Sequence, residues 1–167
     1  MTVNCDSLID ALRDEVQEYG GLLSLFNDQQ KAILDRKPEG VITVQEAIAL
    51  QFSTIDECRK RREQTTRDIA CELGRDSAPP LPLRGLIESC AEAVRPLLHA
   101  LIDEVNQLIL KARRRGQQNQ MLLARSIEIT QQILQRLNPE AVTKTYSRGG
   151  RLKIARGATG SRCLARS

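Results

Sequence analysis

Apolar residues in this chain recur at alternating spacings of three and four, and they keep doing so for tens of residues. Ile9, Leu12, Val16, Tyr19, Leu23, Phe26, Gln30 and Ile33 trace one such seam, and seven of these eight are apolar. A 3.5-residue period over about four heptads is the signature of an α-helix that buries one stripe against another helix. No strand can use it, because a strand alternates with period two. The chain is therefore expected to be all-α, coiled-coil-like, and built from long helices. No β pattern of any length and no repeat of 20–50 residues is visible.

The punctuation divides the pattern into units. The first helix is expected over residues 6–37, with Asp6 or Ser7 capping its start. Gly20-Gly21 is a weak point inside it, at about 1 kcal/mol per glycine relative to alanine. Pro38 and Gly40 read as its stop. A second helix is expected over 44–73, opened by a capping box at Thr43-Val44-Gln45-Glu46 and closed at Gly74. Its seam runs through Ile48, Gln51, Ile55, Cys58, Arg62, Thr65, Ile69 and Glu72, and is more polar in the middle. The short break between the two favours an antiparallel hairpin.

Pro79-Pro80-Leu81-Pro82 forbids helix. A short amphipathic helix through Leu83, Leu86, Ile87, Cys90 and Val94 follows, and Pro96 marks its junction with a long third helix. That helix carries Leu98, Leu101, Val105, Leu108, Ala112, Arg115, Asn119, Leu122, Ser126, Ile129 and Ile133 along one seam, widened by Leu134 and Leu137, and Asn138-Pro139 ends it. A polar residue such as Asn119 at a seam position either fixes register or hydrogen-bonds a ligand's backbone.

Composition supports this reading. There is no Trp, and only Tyr19, Tyr146, Phe26 and Phe52 are aromatic, so the buried area must come from aliphatic seams. All 21 acidic residues lie at or before Glu140, while seven of the 25 bases follow it; residues 1–140 thus carry −3 and residues 141–167 carry +7. The expected organisation is a helical body over 1–140 and a flexible basic tail over 141–167, the tail having too few apolar residues to fold alone. No stretch approaches the ~20 apolar residues that cross a bilayer, and the N-terminus lacks a signal core, so a cytoplasmic protein without direct membrane insertion is expected. The five cysteines, Cys5, Cys58, Cys71, Cys90 and Cys163, have neither CxxC nor zinc spacing and are expected to be free thiols on helix faces.

Catalysis has little to stand on. His99 has no obvious partner, the acids are spread over solvated faces, and no phosphate loop, dinucleotide fingerprint or nucleophile elbow is present. The chain is expected to be no enzyme and to need no cofactor and no metal. The basic runs Arg59-Lys60-Arg61-Arg62 and Arg113-Arg114-Arg115 fan around their helices rather than forming a stripe. Ion pairs of the first run to Asp56, Glu57 or Glu63 are expected. With no aromatic stacking platforms, no nucleic acid is expected as partner. A general coiled-coil adaptor, and less so a basic nucleic-acid-associated protein, stand as alternative readings.

Length adds one inference. Helices of about 32 and 30 residues reach roughly 45–48 Å, and a third of about 42 residues reaches about 63 Å. If the third runs parallel to the first, its last ~15 Å overhangs the hairpin turn. That stretch holds Ile127, Ile129, Ile133, Leu134 and Leu137 and is expected to be a binding surface, unless the linker draws the helix back or a second copy covers it.

Three segments carry a family resemblance. Asn119-Gln120-Met121-Leu122-Leu123, Thr130-Gln131-Gln132-Ile133-Leu134 and Thr145-Tyr146-Ser147-Arg148-Gly149-Gly150-Arg151 resemble motifs of the FlgN family of flagellar type III export chaperones. Gly116 stands where that family's first Asn would be, Ser147 replaces the Gly after the Tyr, and no Asp precedes Gly150. The resemblance implies a cytosolic chaperone for the hook-associated (hook–filament junction) proteins, with the type III export gate and its ATPase components as further partners. It implies, by match, that Tyr146 belongs to the segment that docks at the gate, while the overhanging patch and the turn beside it, Asn119, Leu122, Leu123, Ile127, Ile129, Ile133, Leu134 and Leu137, are expected from the length argument to hold the client.

Overall fold

The computed structural model describes residues 5–74 and 83–137, and the backbone pairing of 144–146 with 152–154. Four helices account for the first two stretches: α1 (Asp6–Leu34), α2 (Pro38–Glu72), the single turn α3 (Leu83–Ile87) and α4 (Arg95–Leu137). The all-α expectation holds. Two strands, β1 (Lys144–Tyr146) and β2 (Leu152–Ile154), pair antiparallel with Thr145 opposite Lys153. This pair falls in the segment expected to be a tail without structure. Its Thr, Tyr and Ile suit a pleated backbone. The rest of the expected tail lies outside the described residues.

The chain divides into two compact units, Met1–Leu122 and Leu123–Ser167, with the boundary inside α4. Within the first unit the helix directions follow from side-chain pairs. Gln29 of α1 meets Gln45 of α2, Glu18 meets Gln51, and Asp14 meets Arg61, so the partner's number falls as α1 advances toward its C-terminus. The hairpin is antiparallel. Near its start α1 shares a cluster with Leu98 and Leu101, and near its end Gln30 meets Arg115, so α4 runs parallel to α1.

The reversal between α1 and α2 is tighter than the sequence suggested. Three residues, Asp35 to Lys37, join the helices, with Arg36 in the left-handed region at φ 54°. Pro38 does not stop α1; it opens α2, at the first helical position where its missing N–H costs nothing. The expected capping box is therefore inside a helix. Thr43 Oγ1 donates back to the Glu39 carbonyl, four residues earlier, instead of capping an orphan N–H. The expected stop at Gly74 does appear, at φ +65° in the left-handed region that glycine occupies without penalty.

Two aliphatic clusters fill the first unit. One draws on all four helices: Leu8, Ile9 and Leu12 of α1, Ile69 of α2, Leu86 and Ile87 of α3, and Leu98, Leu101, Ile102 and Val105 of α4. The other joins Leu22, Ile48, Ile55 and Ala112, with Phe26 packed at its side. The buried residues of α1 are Leu8, Ile9, Ala11, Leu12, Glu15, Leu22, Gln29 and Ile33; Ile9, Leu12 and Ile33 lie on the sequence-derived seam, while Leu8, Glu15, Leu22 and Gln29 lie one residue before it. A helix held between two others buries a wider face than a two-helix seam requires.

The expectation of free thiols fails at two cysteines. Cys5, just before α1, and Cys90, between α3 and α4, are joined in a disulfide inside the first cluster. They are 85 residues apart, and no spacing rule relates them. Cys58 keeps a free, buried thiol, and burial pushes its pKa up.

Candidate apolar binding face

The face of α4 that enters the core can be followed along the helix at 100° per residue. Leu98, Val105, Ala112 and Asn119 lie within about 60° of one another on it, and all four are buried. Continuing at the same phase, the next residues are Leu123, Ile127, Thr130, Leu134 and Leu137, apolar but for the threonine. Leu123, Ile127, Leu134 and Leu137 are exposed by 37%, 50%, 55% and 76% respectively. Ile133 sits on the flank of this face and Ile129 further round the helix; both are also exposed, and Leu122 is half-buried. The bases and acids nearby are few: Arg125, Glu128 and Arg136, with Gln131, Gln132 and Gln135 between them. Such a surface carries an aliphatic centre and an uncharged polar rim, which suits an amphipathic helix laid along it.

Asn119 is placed differently. It belongs to the covered part of the face, at 2% exposure, and its amide nitrogen donates to the Phe26 carbonyl at 2.7 Å and to Gln29 Oε1 at 2.9 Å. Gln29 in turn donates to Gln45 Oε1 at 2.8 Å. One relay of amides thus ties α4 to α1 and α1 to α2. A polar relay has a single satisfied register, whereas aliphatic side chains tolerate slippage, so this relay pins how far along one another the helices sit. The Asn119 carbonyl oxygen is left buried without a donor.

Gly116, the position where the family motif would place Asn, lies one turn before Asn119. A Cβ there would come within 3.2 Å of the Phe26 ring, and that ring packs edge-on against Phe52 with centroids 6.4 Å apart. The missing side chain is the socket for Phe26. Beside it an open groove of about 370 Å³ is lined by Tyr19, Phe52, Arg113 and Gln120 among others. Gly21 does similar service on α1: Gln51 crosses it, donating to the Glu18 carbonyl and to Glu18 Oε2.

The basic run on α2 is fully engaged. Lys60 pairs with Asp56 and Arg59 with Glu63, as expected within one helix. Arg61 and Arg62 instead reach across to Asp14 and Glu15 of α1. The Arg62–Glu15 pair, at 2.6 Å, is the buried one, with Glu15 only 2% exposed. Tyr19 lies nearby, and its pKa is raised by burial and then by the Glu15 charge, against opposing contributions from Arg59 and Arg62. Sequence reading missed this pair because Glu15 occupies a buried position that the seam assigned to its neighbour Val16.

Among the described residues no group of His, Cys, Asp or Glu is arranged to hold a metal, and no helix is long and apolar enough to cross a membrane. Tyr146 lies in β1, where only the backbone pairing is described. The family model described as FlgN protein matches residues 1–154. No curated protein and no solved structure matches the chain.

Proposed function

The chain belongs to the FlgN family, a family of flagellar export chaperones, and from that premise we propose that it holds hook-associated proteins on the bare face of α4 and delivers them to the type III export gate. On this reading it works in the cytoplasm, without chemistry of its own and without a cofactor. The client lays a helical segment along Leu123, Ile127, Leu134 and Leu137, flanked by Ile133, and reaches Ile129 further round the helix. Tyr146 belongs to the segment that meets the gate. Asn119 and Leu122 contribute from the edge of the core, with Asn119 setting the register of the helix that presents the face.

The observation that carries this reading is the continuity of the face. Leu98, Val105 and Ala112, which are buried, and Leu123, Ile127, Leu134 and Leu137, which are exposed, share one helical phase and one apolar character. Soluble proteins rarely leave an apolar surface of this kind bare unless something binds it.

The test is co-purification. Ile133→Asp combined with Leu137→Asp should abolish recovery of the hook-associated client, while far-UV helicity and Tm stay within about a degree of the parent. A large fall in Tm would identify these residues as ordinary core and refute the proposal. Tyr146→Ala serves as the contrasting variant: it should leave the chaperone–client complex intact and stop export of the client.

A further inference from the structure

We propose that Cys5 and Cys90 form a reversible thiol–disulfide staple that sets how firmly the start of α1 is held to the connector preceding α4. The two sulfurs are bonded, and the Cα atoms stand 6.3 Å apart. Both residues are buried, at 4% and 1% exposure, within the larger aliphatic cluster. What positions them does not depend on the bond between them. The Cys5 carbonyl accepts from the N–H groups of Leu8 and Ile9, which fixes it as the first residue before the helix. The Cys90 carbonyl accepts from Arg95 Nε at 3.1 Å, and the same guanidinium donates to the Glu88 carbonyl at 2.8 Å. Two backbones held in this way bring a pair of thiols together whether or not they are oxidised.

The exchange partner is a small-molecule disulfide such as oxidised glutathione. The thiolate of one cysteine attacks it, a mixed disulfide forms, and one small thiol leaves. The second cysteine's thiolate then attacks the protein-side sulfur and expels the other small thiol. Overall, two protein thiols and one small disulfide become one protein disulfide and two small thiols, with the electrons passing to the small molecule. Because both sulfurs are buried, exchange proceeds through opening of the first turn of α1, the end of a helix being the part that opens most readily. Cys58 competes poorly. It is buried on α2, and burial disfavours the thiolate that would react.

Closing the staple links two points 85 residues apart and so restricts the unfolded chain across α1, α2 and α3. It also prevents the first turn of α1 from opening without carrying the connector with it. The same molecule should therefore have two stabilities set by the surrounding thiol balance. This inference rests on the first unit alone and does not depend on what α4 binds.

The experiment equilibrates the full purified chain in glutathione buffers of graded oxidised fraction, quenches with acid, alkylates, and maps the peptides by mass spectrometry. A cross-linked Cys5–Cys90 peptide should accumulate with oxidation and disappear on return to reduced glutathione. In parallel, the Tm of the oxidised form should exceed that of the reduced form by on the order of 10 °C, and exchange of the Leu8 and Ile9 amides should slow. Cys90→Ala, which keeps an apolar side chain in the cluster, should show the reduced-form behaviour in every buffer. Alkylation of Cys5 and Cys90 in the most oxidising buffer would overturn the proposal. So would preferential cross-linking of either to Cys71 or Cys163, or a cross-link that leaves the wild-type Tm unchanged.

Discussion

Along one face of α4, Leu98, Val105 and Ala112 are buried, whereas Leu123, Ile127, Leu134 and Leu137 at the same helical phase are exposed. The two stretches are built from the same kinds of residue. Their difference is one of cover. Toward the N-terminus of α4, Leu8, Leu12 and Leu22 of α1 and Ile55 and Ile69 of α2 contribute to the clusters in which this face is buried. A heptad seam states which face of a helix is apolar. What lies against that face is decided elsewhere in the chain, or in another molecule.

The comparison can be broken most directly by trimming one leucine from each stretch. Leu98 is fully buried, so Leu98→Ala should cost about 3 kcal/mol, from lost burial and the cavity left behind. For a chain of this size that corresponds to a fall in Tm on the order of 10 °C. Leu134→Ala should cost less than about 0.5 kcal/mol, since its side chain is already in water. Equal losses in the two variants, measured by thermal or urea unfolding, would show that the distal face is covered within the free protein.

A second variant sharpens the boundary between the stretches. Asn119→Ala removes both donors that bind α1 and leaves the Phe26 carbonyl and Gln29 Oε1 without that partner. It should destabilise the chain by about 2 kcal/mol, an amount set mainly by buried acceptors left unpaired. Double-mutant cycles with Gln29→Ala should show coupling, and additive losses would dissolve the relay into independent contacts.

The smallest effect concerns the covered side alone. Tyr19 packs against both clusters, and burial followed by the Glu15 charge raises its pKa above 10.0. In a Tyr146→Phe variant, where Tyr19 is the remaining tyrosine, ultraviolet titration should give a midpoint above that value. For such a group the unfolded chain loses its proton first, so its contribution to stability is complete below pH of about 10 and declines as pH rises from there toward the folded pKa. A midpoint at the ordinary value would mean that water reaches the Tyr19 hydroxyl.

Much of this architecture was legible because it is local. The helices, their order and the antiparallel hairpin follow from apolar spacing and from Pro79-Pro80-Leu81-Pro82, features in which each residue speaks for its own backbone. Pro38 misled because one residue type can end a helix or begin one; with α1 closing at Leu34, the second sense prevails. Thr43 misled for the same reason, its hydroxyl being able to cap or to bond backward. The features that sequence could not supply all join distant residues. Cys5 with Cys90, Glu15 with Arg62, and Phe26 with Gly116 are each a pairing across helices, which no spacing encodes. Asn119 stands between the two kinds. Its polar character at a seam position was visible, and its partners on α1 were not.

Phe26 and Gly116 have a consequence for how chains of this kind can diverge. A Cβ at 116 would stand 3.2 Å from the Phe26 ring, tighter than an ordinary contact, so a side chain there requires the ring to shift and disturbs its edge-on contact with Phe52. The two positions behave as one inherited character spelled in two places, and in an alignment they should change together: a bulky residue at 116 should be accompanied by a smaller one at 26.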